Sequence, residues 1–297
     1  MTFVQMASPS IGRTLAVAGG RDGHGAEKRG APLLPPLVIV DGSALAYFLF
    51  QRCETCRWWD GGDLRAFDVA ATEFVRNIRA AGMDMRVVFD GMVHPLKHDT
   101  VLSRLRDNAR RMDSYLTQMR MRKGAQLGHS GFVLPFGAVE CLAEALQREG
   151  VPCRRALYEA DGELAQEFRE WSDKGAVAVL SNDSDFICMR VPLMPLNEIR
   201  LEASTFTAVV YDPAAVAESI GIAEHMLPML ACMAGNDYIS REALAHFHQQ
   251  LVPSSGCNSS WKVSRHPSPP CLRTRKRNFA HGHTHIHNRQ TDRQMHR

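Results

Sequence analysis

Strand-like apolar runs alternate with amphipathic helical segments along the middle of the chain. Short apolar runs closed by turn residues predict strands at Leu37–Val40, Arg86–Phe89, Cys153–Tyr158, Ala176–Leu180 and Phe206–Tyr211. Helical spacing predicts a helix that starts near Ala44, one that ends near Trp171, and others at Phe67–Ala81, Leu96–Lys123, Phe136–Arg148, Pro213–Ser219 and Glu224–Met233. This alternation predicts an α/β fold, with a parallel twisted sheet and helices on both of its faces.

The two ends of the chain differ in composition from this middle part. Residues 1–31 are rich in Gly and Arg, and residues 252–297 are rich in Ser, Pro, Arg and His, without apolar periodicity in either segment. We expect both ends to be disordered and to flank one domain at 32–251. No apolar run is long enough to cross a bilayer, so no membrane partner is expected.

The cysteines and the tail motifs add little to this picture. The eight cysteines are irregularly spaced, which is typical of reduced thiols in an intracellular protein. Cys53 and Cys56 form a single CxxC pair, and no second pair follows at the spacing of a zinc finger. The alternating histidines at 281–287 and the basic stretch Arg273–Arg277 are interpreted as parts of a solvated tail, although the latter could also serve nuclear import.

The formal net charge of +3 conceals an uneven distribution. Residues 252–297 carry a net charge of +8, which leaves −5 on residues 1–251. Within that acidic part, Lys97–Lys123 has eight Lys and Arg and three Asp. A basic segment inside an acidic domain is either a solvated helix face or a surface that contacts phosphates beside a carboxylate site.

Acidic residues follow four predicted strands in succession. They are Asp41, Asp90, Glu159 and Asp183, and Asp161, Asp185 and Asp237 come shortly after. Because the carboxyl ends of parallel strands meet at one edge of a sheet, we expect these acids to share one crevice. Clustered carboxylates select hard cations, and two Mg²⁺ or Mn²⁺ ions would support displacement at a phosphodiester.

A single aspartate after a strand has a simpler explanation, because it commonly caps the next helix. Four such coincidences in a row are much less expected. An aspartyl-phosphate phosphatase would need a second aspartate two positions after Asp90, where Met92 stands.

Five sequence blocks then resemble the flap-endonuclease/XPG superfamily of PIN-like nucleases. The blocks are VIVDGS (38–43), VVFDG (87–91), YEADGELA (158–165), VLSNDSDF (179–186) and AGNDYI (234–239). They occur in the order of the family, and the third and last look most like the asteroid-homologue branch. The resemblance implies a helical arch over the carboxylate site.

The resemblance also assigns roles to residues of this chain. Asp41, Asp90, Glu159 and Asp161 match the positions around a first metal ion, and Asp183, Asp185 and Asp237 those around a second. Lys97 and Arg104 match the basic pair that contacts the scissile phosphate at the base of the arch. Further basic residues could line the path of a single strand: Arg106, Arg110, Arg111, Arg120, Arg122 and Lys123. Tyr115 and Phe132 either stack on bases there or belong to the core.

The chain departs from the flap endonucleases after Asp237. Ser240–Leu251 contains no glycine where those enzymes continue into Gly-rich turns that grip duplex DNA. About 35 residues without a family counterpart precede the first block. We therefore expect a protein partner to supply the duplex grip.

The acids after the strands and the resemblance together predict an Mg²⁺- or Mn²⁺-dependent endonuclease of single-stranded or flap DNA, with a role in DNA repair and with RNA as an alternative substrate. We expect the protein in the nucleus, with the cytoplasm as the alternative location. The alternative is a catalytically silent nuclease-like scaffold that binds protein or RNA.

Overall fold

A five-stranded parallel sheet forms the centre of the protein. The computed structural model describes residues 12–18, 35–121, 132–202, 204–235 and 243–251. The strands of this sheet are β2 (Leu37–Asp41), β3 (Asp84–Phe89), β4 (Cys153–Arg155), β5 (Ala176–Leu180) and β6 (Leu193–Met194). They lie in the order β4-β3-β2-β5-β6, and every neighbouring pair is parallel. The predicted parallel α/β fold is therefore confirmed.

The alternation of side chains along β2 divides the core into two clusters. Val38 and Val40 face a cluster that includes the apolar faces of three helices, α1 (Gly42–Arg52), α2 (Leu64–Ala80) and α4 (Ala138–Arg148). Leu37 and Ile39 face the opposite cluster, which is built on α5 (Ala160–Trp171), α6 (Asp185–Cys188), α7 (Pro213–Ser219) and α8 (Leu227–Ala234). Helices thus cover both faces of the sheet, as the buried runs of its strands require.

A second, antiparallel sheet corrects two expectations. It has the order β1-β8-β7 and consists of β1 (Arg13–Ala18), β8 (Thr205–Val210) and β7 (Arg200–Glu202). The strand expected at Phe206–Tyr211 exists, but it pairs here and not in the parallel sheet. Residues 13–18, expected to be disordered, pair with β8 over six positions because β8 offers them an open edge.

The predicted long helix is present as α3 (His98–Met121), preceded by a 3₁₀ turn at Pro95–Lys97. Tyr115 is its one buried residue, and its ring packs 4.5 Å from that of Trp58. Phe132 is also buried and contacts Trp58. Both aromatic residues therefore belong to the core, which argues against their stacking on bases.

Cys53 and Cys56 form a disulfide at the end of α1, with Cα atoms 5.2 Å apart. This corrects the interpretation of all cysteines as reduced thiols, because a CxxC pair at a helix end brings its sulfur atoms within bonding reach. Cys141, Cys153, Cys188 and Cys232 are free thiols.

The chain divides into two units, Met1–Leu251 and Val252–Arg297, and the second lies outside the described residues. The elements above belong to the first unit, together with α9 (Ala245–Leu251). None of the helices described is long and apolar enough to cross a membrane.

Candidate active site

Asp41 ends β2 and uses both carboxylate oxygens. Oδ1 accepts a hydrogen bond from the backbone N–H of Ala44, 2.9 Å away, and so caps α1. Oδ2 accepts one from the hydroxyl of Ser181, 2.8 Å away. Gly42 must follow, because a Cβ atom at that position would lie 2.4 Å from the Phe89 ring.

Asp90 and Glu159 lie on two chain segments that touch. Oδ1 of Asp90 accepts a hydrogen bond from the N–H of Ala160, 3.0 Å away, at the start of α5. Glu159 is the N-cap residue of that helix. The backbones approach so closely that a Cβ atom at Gly91 would lie 1.9 Å from the carbonyl oxygen of Ala156. The Asp-Gly pair is therefore a packing requirement as well as a turn signal.

Asp183 and Asp185 follow β5. Oδ1 of Asp183 accepts a hydrogen bond from the N–H of Asp185, 2.9 Å away. The hydroxyl of Ser181, which is fully buried, accepts one from the N–H of Asp183, 3.1 Å away. Ser181 thus links the acid after β2 with the acid after β5. Asp183 and Asp185 are exposed.

The clearest sign that the acids share one site is electrostatic. Burial, and after it the charges of four other acids, raise the pKa of Asp161 from 3.8 to about 7; the four acids are Asp183, Asp41, Asp90 and Glu159. Burial also raises the pKa of Asp41, and Asp90 and Asp183 add to this effect, while its two hydrogen bonds oppose it. These shifts follow from like charges held together in a partly dehydrated crevice.

The assignment of these acids as metal ligands stays a prediction. The donors are carboxylates, the ligands that Mg²⁺ and Mn²⁺ prefer. Within the described ranges, however, no three His, Cys, Asp or Glu side chains are close enough together to hold one ion. Asp237 lies outside the described residues.

Lys97 and Arg104 lie in different elements. Nζ of Lys97 forms an ion pair with Oε1 of Glu159 at 2.6 Å, and the Lys97 side chain is only 13% exposed. Arg104 is exposed in the second turn of α3. Lys97 belongs to the 3₁₀ turn before that helix, so the two residues do not share one continuous α-helix.

The other predicted basic residues lie along α3 where they are described. Arg106, Arg110, Arg111 and Arg120 are exposed. Arg110 forms an ion pair with Asp107 at 2.8 Å, one turn away. Arg122 and Lys123 lie outside the described residues.

Sequence reasoning missed Ser181 as a part of this site. Its only signal was its position as the first residue after β5, directly before the Asn182-Asp183 pair. A serine that ends a buried strand beside acids could have been interpreted as a hydrogen-bond donor to one of them.

The structure thus defines an α/β domain with a carboxylate cluster at the carboxyl edge of its parallel sheet. The chain is similar in sequence to protein asteroid of Drosophila melanogaster, with 29% identity over 168 residues that cover 57% of this chain and 18% of that protein. It is 27% identical to the single-strand DNA endonuclease ASTE1 of Danio rerio over 232 residues, 74% of this chain and 31% of that protein. These relatives confirm the resemblance to the asteroid group. No family model matches the sequence.

A third relative carries a different name. The constitutive coactivator of peroxisome proliferator-activated receptor gamma of Homo sapiens is 28% identical over 225 residues, 75% of this chain and 24% of that protein. The chain spans between 18% and 31% of the length of these relatives. Among solved structures it resembles the catalytic core of Rad2 in complex with DNA substrate, with 16% identity, a TM-score of 0.47, and coverage of 78% of this chain and 59% of that one.

Proposed function

We propose that this protein is a divalent-metal-dependent endonuclease that hydrolyses phosphodiester bonds in single-stranded or flap DNA. The observation that carries the proposal is the cluster of acids at the carboxyl edge of the sheet, where burial and the charges of four neighbouring acids raise the pKa of Asp161 to about 7. Five carboxylates close together repel one another and cost free energy unless cations neutralise them. Such a cluster therefore indicates a site that binds cations.

Asp41, Asp90, Glu159 and Asp161 would hold one ion and Asp183 and Asp185 another, with Asp237 as a further ligand. The donor set fits Mg²⁺ or Mn²⁺ in its chemistry. When bound, such ions polarise the attacked phosphate and lower the pKa of water. The cluster lies at the edge where ligands of open parallel sheets bind.

The residues of the chain have separate tasks in this proposal. Ser181 fixes the orientation of Asp41 and of the backbone at Asp183 through its two hydrogen bonds. Lys97 neutralises Glu159 before substrate arrives and is positioned to offset charge on an incoming phosphate. Arg104 and the arginines that follow on α3 would contact the sugar-phosphate backbone.

The test is cleavage of end-labelled single-stranded and 5′-flap DNA, with Mg²⁺ or Mn²⁺ and with EDTA. The double variant Asp183→Asn/Asp185→Asn should lose activity by about 100-fold or more. Asp173→Asn is the matched control, because this exposed aspartate precedes β5 whereas the tested pair follows it. Equal cleavage by the double variant and the wild type would contradict the proposal.

A second candidate function is a nuclease-like scaffold that binds other macromolecules without cutting. Two observations favour it: the coactivator named among the relatives, and the ion pair through which Lys97 already occupies Glu159. A folded wild type that binds Ca²⁺ or Mg²⁺ in calorimetry, leaves every DNA intact and retains a stable partner in pull-downs would establish the scaffold.

The location and the biological role belong to the same proposal. We place the protein in the nucleus, in keeping with the basic stretch Arg273–Arg277 and with DNA as the substrate. A role in DNA repair follows from a preference for single-stranded or flap structures. A protein partner would supply the contact with duplex DNA.

A further inference from the structure

Five exposed apolar side chains lie beside the carboxylate cluster. We refer to them as the apolar ledge: Met92, Val93, Leu96, Leu157 and Tyr158. Leu96 is 74% exposed and Leu157 is 64% exposed. Solvent exposure of large apolar side chains costs free energy, and a cluster of them next to a site marks a contact surface.

The ledge has a defined backbone, because backbone hydrogen bonds join the two chain segments that form it. The N–H of Gly91 donates to the carbonyl oxygen of Tyr158 at 2.6 Å, and the N–H of Met92 donates to that of Leu157 at 3.0 Å. The ring of His94 packs edge-on against that of Tyr158, with centroids 5.2 Å apart. These contacts fix the backbone at Met92, Leu157 and Tyr158 and the ring of Tyr158 before any ligand binds.

The ledge is continuous with the acids on one side and with cations on the other. Asp90 directly precedes its first segment, and Glu159 directly follows its second. Lys97, the residue after Leu96, contacts Glu159 and leads into α3, which has five arginines and three aspartates. An occupant of the ledge therefore meets an apolar surface, a phenol ring and basic side chains within one short stretch.

This combination fits unpaired nucleotides. Bases are flat and apolar on their faces and stack on aromatic and aliphatic side chains, while their phosphates need cations. A nucleotide strand can use the apolar side chains and the arginines of α3 together, whereas an apolar protein segment would contact the apolar side chains alone.

We propose that the apolar ledge binds the bases of the unpaired strand next to the carboxylates, with Leu157 and Tyr158 as its main contacts. The inference rests on the proposed function and names the feature of the substrate that this site recognises: bases that are not paired. Duplex DNA hides its base faces and cannot use the ledge, so the ledge selects single strands.

The test measures binding separately from cleavage. A fluorescent strand of about 20 nucleotides and the same strand with a run of abasic residues are titrated in EDTA at low salt, with anisotropy as the readout. The wild type should bind the strand with bases about 10-fold more tightly. The variant Leu157→Ala/Tyr158→Ala should bind both strands as weakly as the wild type binds the abasic strand. Tyr158→Phe should still bind the strand with bases more tightly than the abasic strand.

Val69→Ala is the control, because Val69 is an exposed apolar residue of α2. Thermal unfolding checks that each variant is folded. A ledge variant that discriminates like the wild type, or that weakens binding to both strands equally, overturns the inference, and a protein then becomes the better occupant.

Cleavage of the same strands with Mg²⁺ separates the two proposals. If the protein cuts DNA but the ledge variants behave like the wild type, the proposed nuclease function is supported and the ledge inference is wrong. If the ledge binds DNA that is not cut, the ledge inference is supported and the nuclease proposal is wrong. A wild type that neither binds nor cuts DNA overturns both.

Discussion

Ser181 illustrates how one buried hydroxyl couples two strands of the site. It donates to Asp41 at 2.8 Å and accepts from the N–H of Asp183 at 3.1 Å, so the carboxylate of one strand is aligned with the backbone of the next. Hydrogen bonds to a charged oxygen favour the ionised form, and this one counteracts the effect of burial on the pKa of Asp41. The negative charges of the acids nevertheless repel one another.

This repulsion should be measurable through the pKa of Asp161. Its pKa is about 7 in the folded protein and 3.8 for the ordinary side chain, so the folded state binds the proton more tightly. The free energy of unfolding therefore falls as pH rises from about 4 to about 7, and this loss is complete above pH 7. We expect Asp161→Asn to stabilise the metal-free protein at pH 8 by about 1–3 kcal/mol, with a smaller gain at pH 5.

Urea unfolding in EDTA at the two pH values measures this gain, with Asp173→Asn as the control. An asparagine variant that is no more stable than the wild type at pH 8 would contradict the repulsion on which the metal proposal depends.

At the residue scale, the positions of the acids could be predicted from the sequence, but their contacts could not. The position of Asp41, Asp90 and Asp183 after apolar runs was visible because a parallel sheet brings strand ends together. The partner of Lys97 was not visible, because the 2.6 Å contact with Glu159 joins residues 62 positions apart and depends on the turn at Pro95–Lys97. The sequence could not tell whether Tyr115 and Phe132 belong to the core, because both are buried through contacts with Trp58, which is distant in sequence.

At the scale of the element, α3 is held by few contacts for its length. Tyr115 is buried against Trp58 and Trp59, and the partly buried Met112 and Met119 pack against the same core cluster. The other side chains of α3 are exposed or only partly buried. A helix with one buried ring has little to oppose local opening.

We expect Tyr115→Ala to accelerate amide hydrogen exchange across His98–Met121 by about 10-fold or more, with little change in β2 and β5. Hydrogen-exchange mass spectrometry measures both regions in one experiment. Leu105→Ala is the control, because Leu105 lies on the same helix and is 57% exposed. Faster exchange throughout the protein would mean that Tyr115 supports the whole core, and unchanged exchange would mean that α3 is anchored elsewhere.

At the scale of the whole molecule, the central sheet was predictable and the second sheet was not. The strands β2, β3 and β5 contain apolar runs bounded by turns. In contrast, β4 has only three residues, Cys153–Arg155, two of them arginines, and β6 has only two, Leu193–Met194, too few for a pattern. β1 lies among Gly- and Arg-rich sequence, and nothing local indicates its partner. It becomes a strand because β8, nearly 200 residues away, presents an edge with buried side chains at Phe206, Ala208 and Val210.

The pairing of β1 with β8 predicts a role for the first residues in the stability of the whole protein. β1 forms six residue pairs with β8, and Leu15 packs against the main core cluster. Removal of residues 1–18 exposes the edge of β8, which costs core contacts and offers a template for pairing with a second chain. We expect the melting temperature to fall by about 4 °C or more, since 1 kcal/mol corresponds to roughly 2–4 °C in a domain of this size. We also expect self-association in light scattering. Removal of residues 1–11 keeps β1 and is the control; identical melting and monomeric behaviour of the two truncated proteins would show that β1 contributes nothing to the fold.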